Sequence, residues 1–128
     1  MFKNKRARFR KMIIPFKDGT AYTQPSGPKC KFKTLLPKGA CGSLGIGLVS
    51  MKGPTWNEPG KHKNWHQVYV VLRGKGKMFI AGKEYAVKAP CVVRIPYNTA
   101  HAMRAGRGNS VEYIYINQHL DNLKKRKC

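Results

Sequence analysis

Three of the four histidines in this 128-residue chain fall between positions 60 and 101. Two of them, His62 and His101, stand with Gln67 where neighbouring strands would bring them together. Imidazole nitrogens and an amide oxygen are donors for one divalent transition metal, such as Fe, Mn, Ni or Zn. Such an ion would polarise a substrate oxygen or hold a water, with Tyr69 and Tyr97 as pocket walls. Left without a cation, the same three groups are polar barrel-lining residues hydrogen-bonded to one another. His66 adjoins Gln67 and should point to the opposite face of a strand, so it is no substitute donor. His119 lies in a polar tail and has no assigned role.

The elements that must position these groups are strands. Residues 13–16 form a short apolar strand or staple, with a turn at Asp18-Gly19 and a Pro/Gly loop over 24–30. Lys29 to Lys33 alternate strictly, which sets Lys29, Lys31 and Lys33 on one face of a strand and Cys30 and Phe32 on the other. Residues 36–42 are a turn region, 44–51 a glycine-bearing strand, and 52–61 a loop anchored by Trp56. The strongest strand is 65–73, rich in aromatic and β-branched residues. Gly74 and Gly76 then mark a turn, and a further strand enters a hairpin at Ala81-Gly82-Lys83. Four more strands end in SVEYIYIN, and only 118–125 looks helical. Short strands at this spacing indicate an all-β sandwich or barrel. The chain divides into a flexible basic arm (1–11), a barrel (12–118) and a basic tail (119–128).

Alternation along 65–73 sends Gln67, Tyr69 and Val71 inward and Val68, Val70 and Leu72 outward. An outward apolar row costs roughly 1.5–3 kcal/mol per side chain if left wet. A second sheet would cover it, from the same chain or from a second protomer, and a sheet-mediated homodimer is expected.

Charge limits the partners. Twenty-six Lys and Arg face five acids, a formal net charge of +21. The arm holds Lys3, Lys5, Arg6, Arg8, Arg10 and Lys11, and the tail holds Lys124, Lys125, Arg126 and Lys127. Sixteen basic residues remain over 12–123 against all five acids, Asp18, Glu58, Glu84, Glu112 and Asp121. Self-repulsion of that size destabilises a compact chain unless an anion offsets it, which points to nucleic acid or chromatin. The four cysteines show no zinc spacing and no disulfide framework. The compartment this implies is intracellular and reducing, the nucleus ahead of an organelle. No apolar run approaches membrane-spanning length, so no membrane partner is expected.

These residues resemble the cupin superfamily, whose first motif places a His-x-His pair, a carboxylate, and a glycine seven positions later. Gly74 supplies that glycine, Gln67 stands in the carboxylate's place, His62 matches the second histidine, and Gly60 occupies the place of the first. Pro96-Tyr97-Asn98-Thr99-Ala100-His101 matches the second motif, Pro-x-Gly-x-x-His, with Asn98 for Gly. The resemblance implies a double-stranded β-helix, a jelly-roll barrel, and a metal held by three imidazoles and a carboxylate, of which this chain offers two imidazoles and an amide. Small cupins resembling the uronate-linearising enzymes also carry Gln there, but keep both paired histidines.

A second resemblance is to the cupin of the centromere protein C family, through KFKTL (31–35), NWHQVYVVLRG (64–74), IPYN (95–98) and YIYINQ (113–118). It implies a dimeric platform without metal ligands, attached to basic segments. The basic arm lacks that family's Arg-anchored, Trp-bearing chromatin motif, and His101 stands where that family carries an aromatic residue. Three functions follow as expectations. The first is a non-enzymatic dimer binding nucleic acid or chromatin through Lys3, Lys5, Arg6, Arg8, Arg10, Lys11, Lys29, Lys31, Lys33, Lys124, Lys125, Arg126 and Lys127, with Val68, Val70 and Leu72 at its interface. The second is a small metal-dependent sugar or uronate isomerase, lyase or dioxygenase using His62, Gln67 and His101. The third is a sensor with a small-molecule ligand in its barrel.

Overall fold

The structure is a computed structural model that describes residues 11–120. Among the described residues a single 3-10 turn, Phe16–Asp18, precedes nine strands: β1 Thr20–Tyr22, β2 Cys30–Cys41, β3 Leu44–Lys52, β4 Thr55–Trp56, β5 Trp65–Ile80, β6 Lys83–Lys88, β7 Cys91–Ile95, β8 His101–Ala105 and β9 Ser110–His119. They pair antiparallel in the order β1-β2-β3-β9-β5-β8-β4, with β6 and β7 also pairing β5. The long β5 belongs to both halves. Its first part lies between β9 and β7, and its second part between β6 and β8. This curled antiparallel sheet is the all-β barrel that the alternation and turns predict, in the jelly-roll form that the resemblance implies.

The expected turn at Gly74 and Gly76 is corrected: β5 runs unbroken through both. A bulge between Val71 and Arg73 inserts Leu72 as an extra residue against β9. An extra residue reverses the alternation. Gln67, Tyr69 and Val71 therefore share a face of the strand with Gly74, Gly76 and Met78 beyond the bulge, where Met78 is buried and Gly74 is exposed. The glycines are required by close backbone approach. Gly74 has φ +79, and a Cβ there would collide with the Ser110 carbonyl; at Gly76 it would collide with that of Arg104. The strand bends from one half to the other without ending.

The interior is filled by Phe32, Val49, Val71, Met78, Met103, Val111 and Tyr113, all buried. Met78 and Met103 are directly paired across β5 and β8. The β5–β6 hairpin turns at Ala81 and Gly82, with φ 52 and 80, the paired left-handed values of a type I′ turn. Asn98 likewise takes φ 52, the left-handed backbone that Asn tolerates in place of Gly.

Other expectations change. Residues 13–16 form no strand, and Ile13 is exposed. The turn region at 36–42 is mostly strand, since β2 reaches Cys41 through two register shifts. The helical reading of 118–125 is corrected at 118 and 119, where β9 runs to His119; residues 121–125 lie outside the described residues. Trp56 is no buried anchor: it is 40% exposed, with one side of its indole against Gly27. Cys30 and Cys91 are half-buried free thiols, whereas Cys41 is disulfide-bonded. Among the described residues no helix is long and apolar enough to cross a membrane.

Candidate functional site

A cavity of about 330 Å³ opens between the two halves of the barrel. Directly opposed residues of an antiparallel ladder point to the same side, and the β5–β9 register pairs Gln67 with Asn117, Tyr69 with Tyr115, and Val71 with Tyr113. One wall of the cavity is therefore an amide pair above three tyrosines. The Tyr69 and Tyr113 rings are 4.4 Å apart. Gln67 Nε2 donates to Asn117 Oδ1 at 2.7 Å, and Asn57 Nδ2 donates to the Tyr113 hydroxyl at 2.9 Å. The Tyr22 and Tyr115 hydroxyls share a hydrogen bond of 2.6 Å. Burial pushes the Tyr69 and Tyr113 hydroxyls up, and burial plus the bond to Tyr115 does the same for Tyr22. These three phenols are therefore neutral. Gln67 Oε1 and Trp65 Nε1 are buried without a hydrogen-bond partner among the described residues. Such groups are costly to bury unmet, so one acceptor and one donor remain for an occupant.

The two histidines meet at one end of this cavity. The His62 ring stacks on Trp65 at 4.4 Å and meets His101 edge-on at 5.0 Å. His101 is 6% exposed, and its Nδ1 lies 2.8 Å from the Thr99 carbonyl. A carbonyl only accepts, so Nδ1 carries the hydrogen and Nε2 the lone pair. Burial holds both imidazoles below their ordinary range. The neighbouring His101 pushes His62 down further, while the Thr99 carbonyl partly opposes the effect on His101.

A pH effect follows with a definite sign. Histidine in the unfolded chain takes up its proton near pH 6.5. Both groups titrate lower when folded, so the unfolded chain holds more protons in between and stability rises with pH. The thermal midpoint should be highest above the unfolded value and fall as pH drops through the two folded values. A His62→Gln/His101→Gln variant should lose most of that slope; an undiminished slope would assign it to other groups.

The donor set does not fit the metal that the cupin pattern implies. His62 and His101 come together, but Gln67 offers only a neutral amide oxygen, its nitrogen being bonded to Asn117, and supplies no anionic charge to a divalent cation. No group of three or more His, Cys, Asp or Glu side chains among the described residues is arranged to hold a metal ion. Gly60 explains the missing imidazole. It exchanges backbone hydrogen bonds with His101, at 3.1 and 2.9 Å, and a Cβ there would meet nothing within 4 Å. The space beside Gly60 is open, and among the described residues no further imidazole or carboxylate joins His62 and His101 there.

Gln67 bonds Asn117 and not the histidines, as the hydrogen-bonded trio would have required. Tyr69 lines the cavity, but Tyr97 is exposed, its hydroxyl donating to the Lys63 carbonyl at 2.5 Å. Trp65, Asn57, Tyr22 and the Tyr113-Tyr115-Asn117 face were missed; alternation along 113–117 was the signal for the last. Of the basic positions, Lys29 lies in the turn before β2 at φ 63, and Lys31 and Lys33 are on β2's outer face. Lys33 Nζ donates to the Phe16 carbonyl at 3.3 Å, and Lys11 pairs with Asp18 at 3.5 Å. Lys3, Lys5, Arg6, Arg8, Arg10, Lys124, Lys125, Arg126 and Lys127 lie outside the described residues. Val68, Val70 and Leu72 are half-buried.

Comparison with known proteins agrees with this geometry. A predicted oxalate decarboxylase from Thermotoga maritima superposes with a TM-score of 0.77 at 17% identity, over 85% of this chain and 100% of that one. The polyketide cyclase RemF from Streptomyces resistomycificus gives 0.73 at 13%, over 91% and 92%. The Cnp3 cupin domain of Schizosaccharomyces pombe gives 0.72 at 16%, over 91% and 79%. At these identities the likeness shows the cupin fold alone. No curated protein matches the sequence. The model of the AraC-like ligand binding domain matches residues 49–125, more than half of the chain and the part that carries the histidine pair and most of the cavity, and this chain belongs to that family of cupin-type domains.

Proposed function

We propose that this chain is a non-enzymatic, dimeric cupin module that binds nucleic acid through its cationic surface. The carrying observation is the charge: twenty-six Lys and Arg against five acids. Of those acids, Asp18, Glu84 and Glu112 are already engaged by Lys11, Lys77 and Arg73. Polyphosphate is the natural counter-charge to such a surface. Lys29, Lys31, Lys52 and Arg73 line one open groove, which extends the cationic face expected from Lys29, Lys31 and Lys33. A chromatin setting, a nuclear location and a role like that of the Cnp3 cupin belong to the same reading. An incomplete donor set supports binding over metal-dependent catalysis.

The expected result is salt-sensitive binding of labelled duplex or RNA. A protein neutralising six to ten phosphates loses about 10³- to 10⁵-fold in affinity between roughly 50 and 200 mM salt. No salt-sensitive binding at low ionic strength would end this reading. A second reading rests on the cavity: its two unpartnered polar atoms and its neutral aromatic walls suit a small uncharged ligand. In that reading the barrel senses a metabolite while the basic surface holds nucleic acid.

A further inference from the structure

The outer face of the β4-β8-β5-β6 half carries a second cationic surface, built from residues other than Lys29, Lys31 and Lys33. Register sets its composition. Lys75 is directly opposite Lys88 across β5 and β6, and Lys77 is directly opposite Arg104 across β5 and β8. Like charges in directly opposed positions are destabilising, and two such pairs lie side by side because residues 75 and 77 share a face. All four cations are exposed. Glu84 meets Lys77 at 2.7 Å and offsets only part of the block.

Aromatic rings are set among these charges. Trp56 is the cross-strand partner of Arg104, so indole, guanidinium and the Lys77 ammonium follow one another across three strands spaced about 4.8 Å apart. The Arg104 guanidinium lies 4.7 Å from the centroid of the Phe79 ring. Trp56 is held from one side by Gly27, where any Cβ would collide with its ring, and it is 40% exposed. Together these residues line an open groove of about 920 Å³.

We infer that this face binds single-stranded nucleic acid, with an unpaired base stacked on Trp56 and the phosphates met by Lys75, Lys77, Lys88 and Arg104. The inference rests on the nucleic-acid reading above and names where a single strand would lie. Charge complementarity selects a polyanion. The exposed indole selects one with unpaired π-faces, because duplex bases are hidden from a flat ring, whereas single strands combine stacking with backbone neutralisation. DNA and RNA share this chemistry.

The test is fluorescence anisotropy with labelled oligo-dT and oligo-U, using the full chain over a range of salt. Trp56→Ala should weaken binding of one or both roughly tenfold or more. A Lys75→Gln/Lys88→Gln variant should lower the salt slope by about 1.4, or 0.7 per phosphate on a single strand. That variant should also be no less stable than the parent without nucleic acid, since it removes a like-charge pair; this separates lost binding from lost folding. Duplex affinity in Trp56→Ala should hold. Oligo binding unchanged in both variants would overturn the inference and leave the nucleic-acid reading standing. An acidic peptide that competes as well as oligo-dT would overturn the stacking role, and a chain that binds no nucleic acid would remove both readings. Preference for oligo-dT or oligo-U tells which nucleic acid is the natural one, and either supports the site.

Discussion

Gly60→His combined with Gln67→Glu is expected to complete the cavity as a metal site. Gly60 and His101 exchange both backbone hydrogen bonds, so they are a hydrogen-bonded antiparallel pair with side-chain directions on the same face. An imidazole at position 60 would stand beside His101, in space where a Cβ meets nothing within 4 Å. His62 already lies 5.0 Å from His101, ring to ring. Glutamate at 67 would add the anion that a divalent cation requires, and its oxygens can accept from the Asn117 amide. The expected readout is a rise in thermal midpoint on adding nickel or zinc to untagged variant, with little change in the parent. At free metal 100-fold above Kd the variant gains about 2.7 kcal/mol. An equal metal-dependent rise in the parent would show that its two imidazoles recruit a third donor, and the incomplete-site reading would fall. Gly60→His alone separates the contributions, since it restores the imidazole without the charge.

The inward set Gln67, Tyr69 and Val71 was legible because a period of two over nine residues is a local property. What followed was not. Whether Gly74 ends the strand or bends it depends on Ser110, whose carbonyl occupies the space of a Cβ at 74, and nothing near Gly74 in sequence announces that neighbour. The bulge at Leu72 has the same origin: it exists relative to β9. The site shows this division again. His62 and His101 could be brought together from turn spacing, but the partner of Gln67 is Asn117, fifty residues away. An alternating strand reveals its faces but not which opposed strand supplies the complementary amide. Trp56 failed as an anchor because its partner is Gly27, and a glycine gives no hydrophobic signal. The cationic face around Arg104 was hidden for a related reason. Lys75, Lys77, Lys88 and Arg104 are dispersed along the chain, and only register shows them as opposed pairs.

Val92→Asp is expected to convert a dimer into a monomer without disturbing the barrel. The argument extends the outward row from one strand to a whole face. Val70 pairs with Ile114 on β9 and Val92 on β7, and Ile114 pairs with Leu48 on β3. The next row joins Ile46, Ile116, Val68 and Arg94 in the same way. Opposed residues share a face, so an apolar band crosses four strands on the outside of the sheet. Leu48 is buried within the chain, but Val92 is 66% exposed. Val92 is exposed and Ile46, Val68, Val70, Ile114 and Ile116 are half-buried; an apolar face left partly open marks an interaction surface, and a second copy of the same sheet is the occupant proposed for it. In a two-fold interface each substitution enters twice, so one aspartate buries two carboxylates against aliphatic side chains. That should shift the mass by light scattering from dimer to monomer at micromolar concentration. Because Val92 contributes little burial within the protomer, the fold should survive, with the β-type circular dichroism intact. Val70→Asp should dissociate the dimer too, but with some loss of monomer stability, since that side chain is half-buried. A monomeric parent, or a Val92→Asp variant that remains dimeric, would rule out this face as the interface. On the proposed reading of a dimer that binds nucleic acid, dissociation should also weaken binding of long nucleic acids more than short ones, because only long ones would engage both protomers and gain the effective concentration of a linked second site.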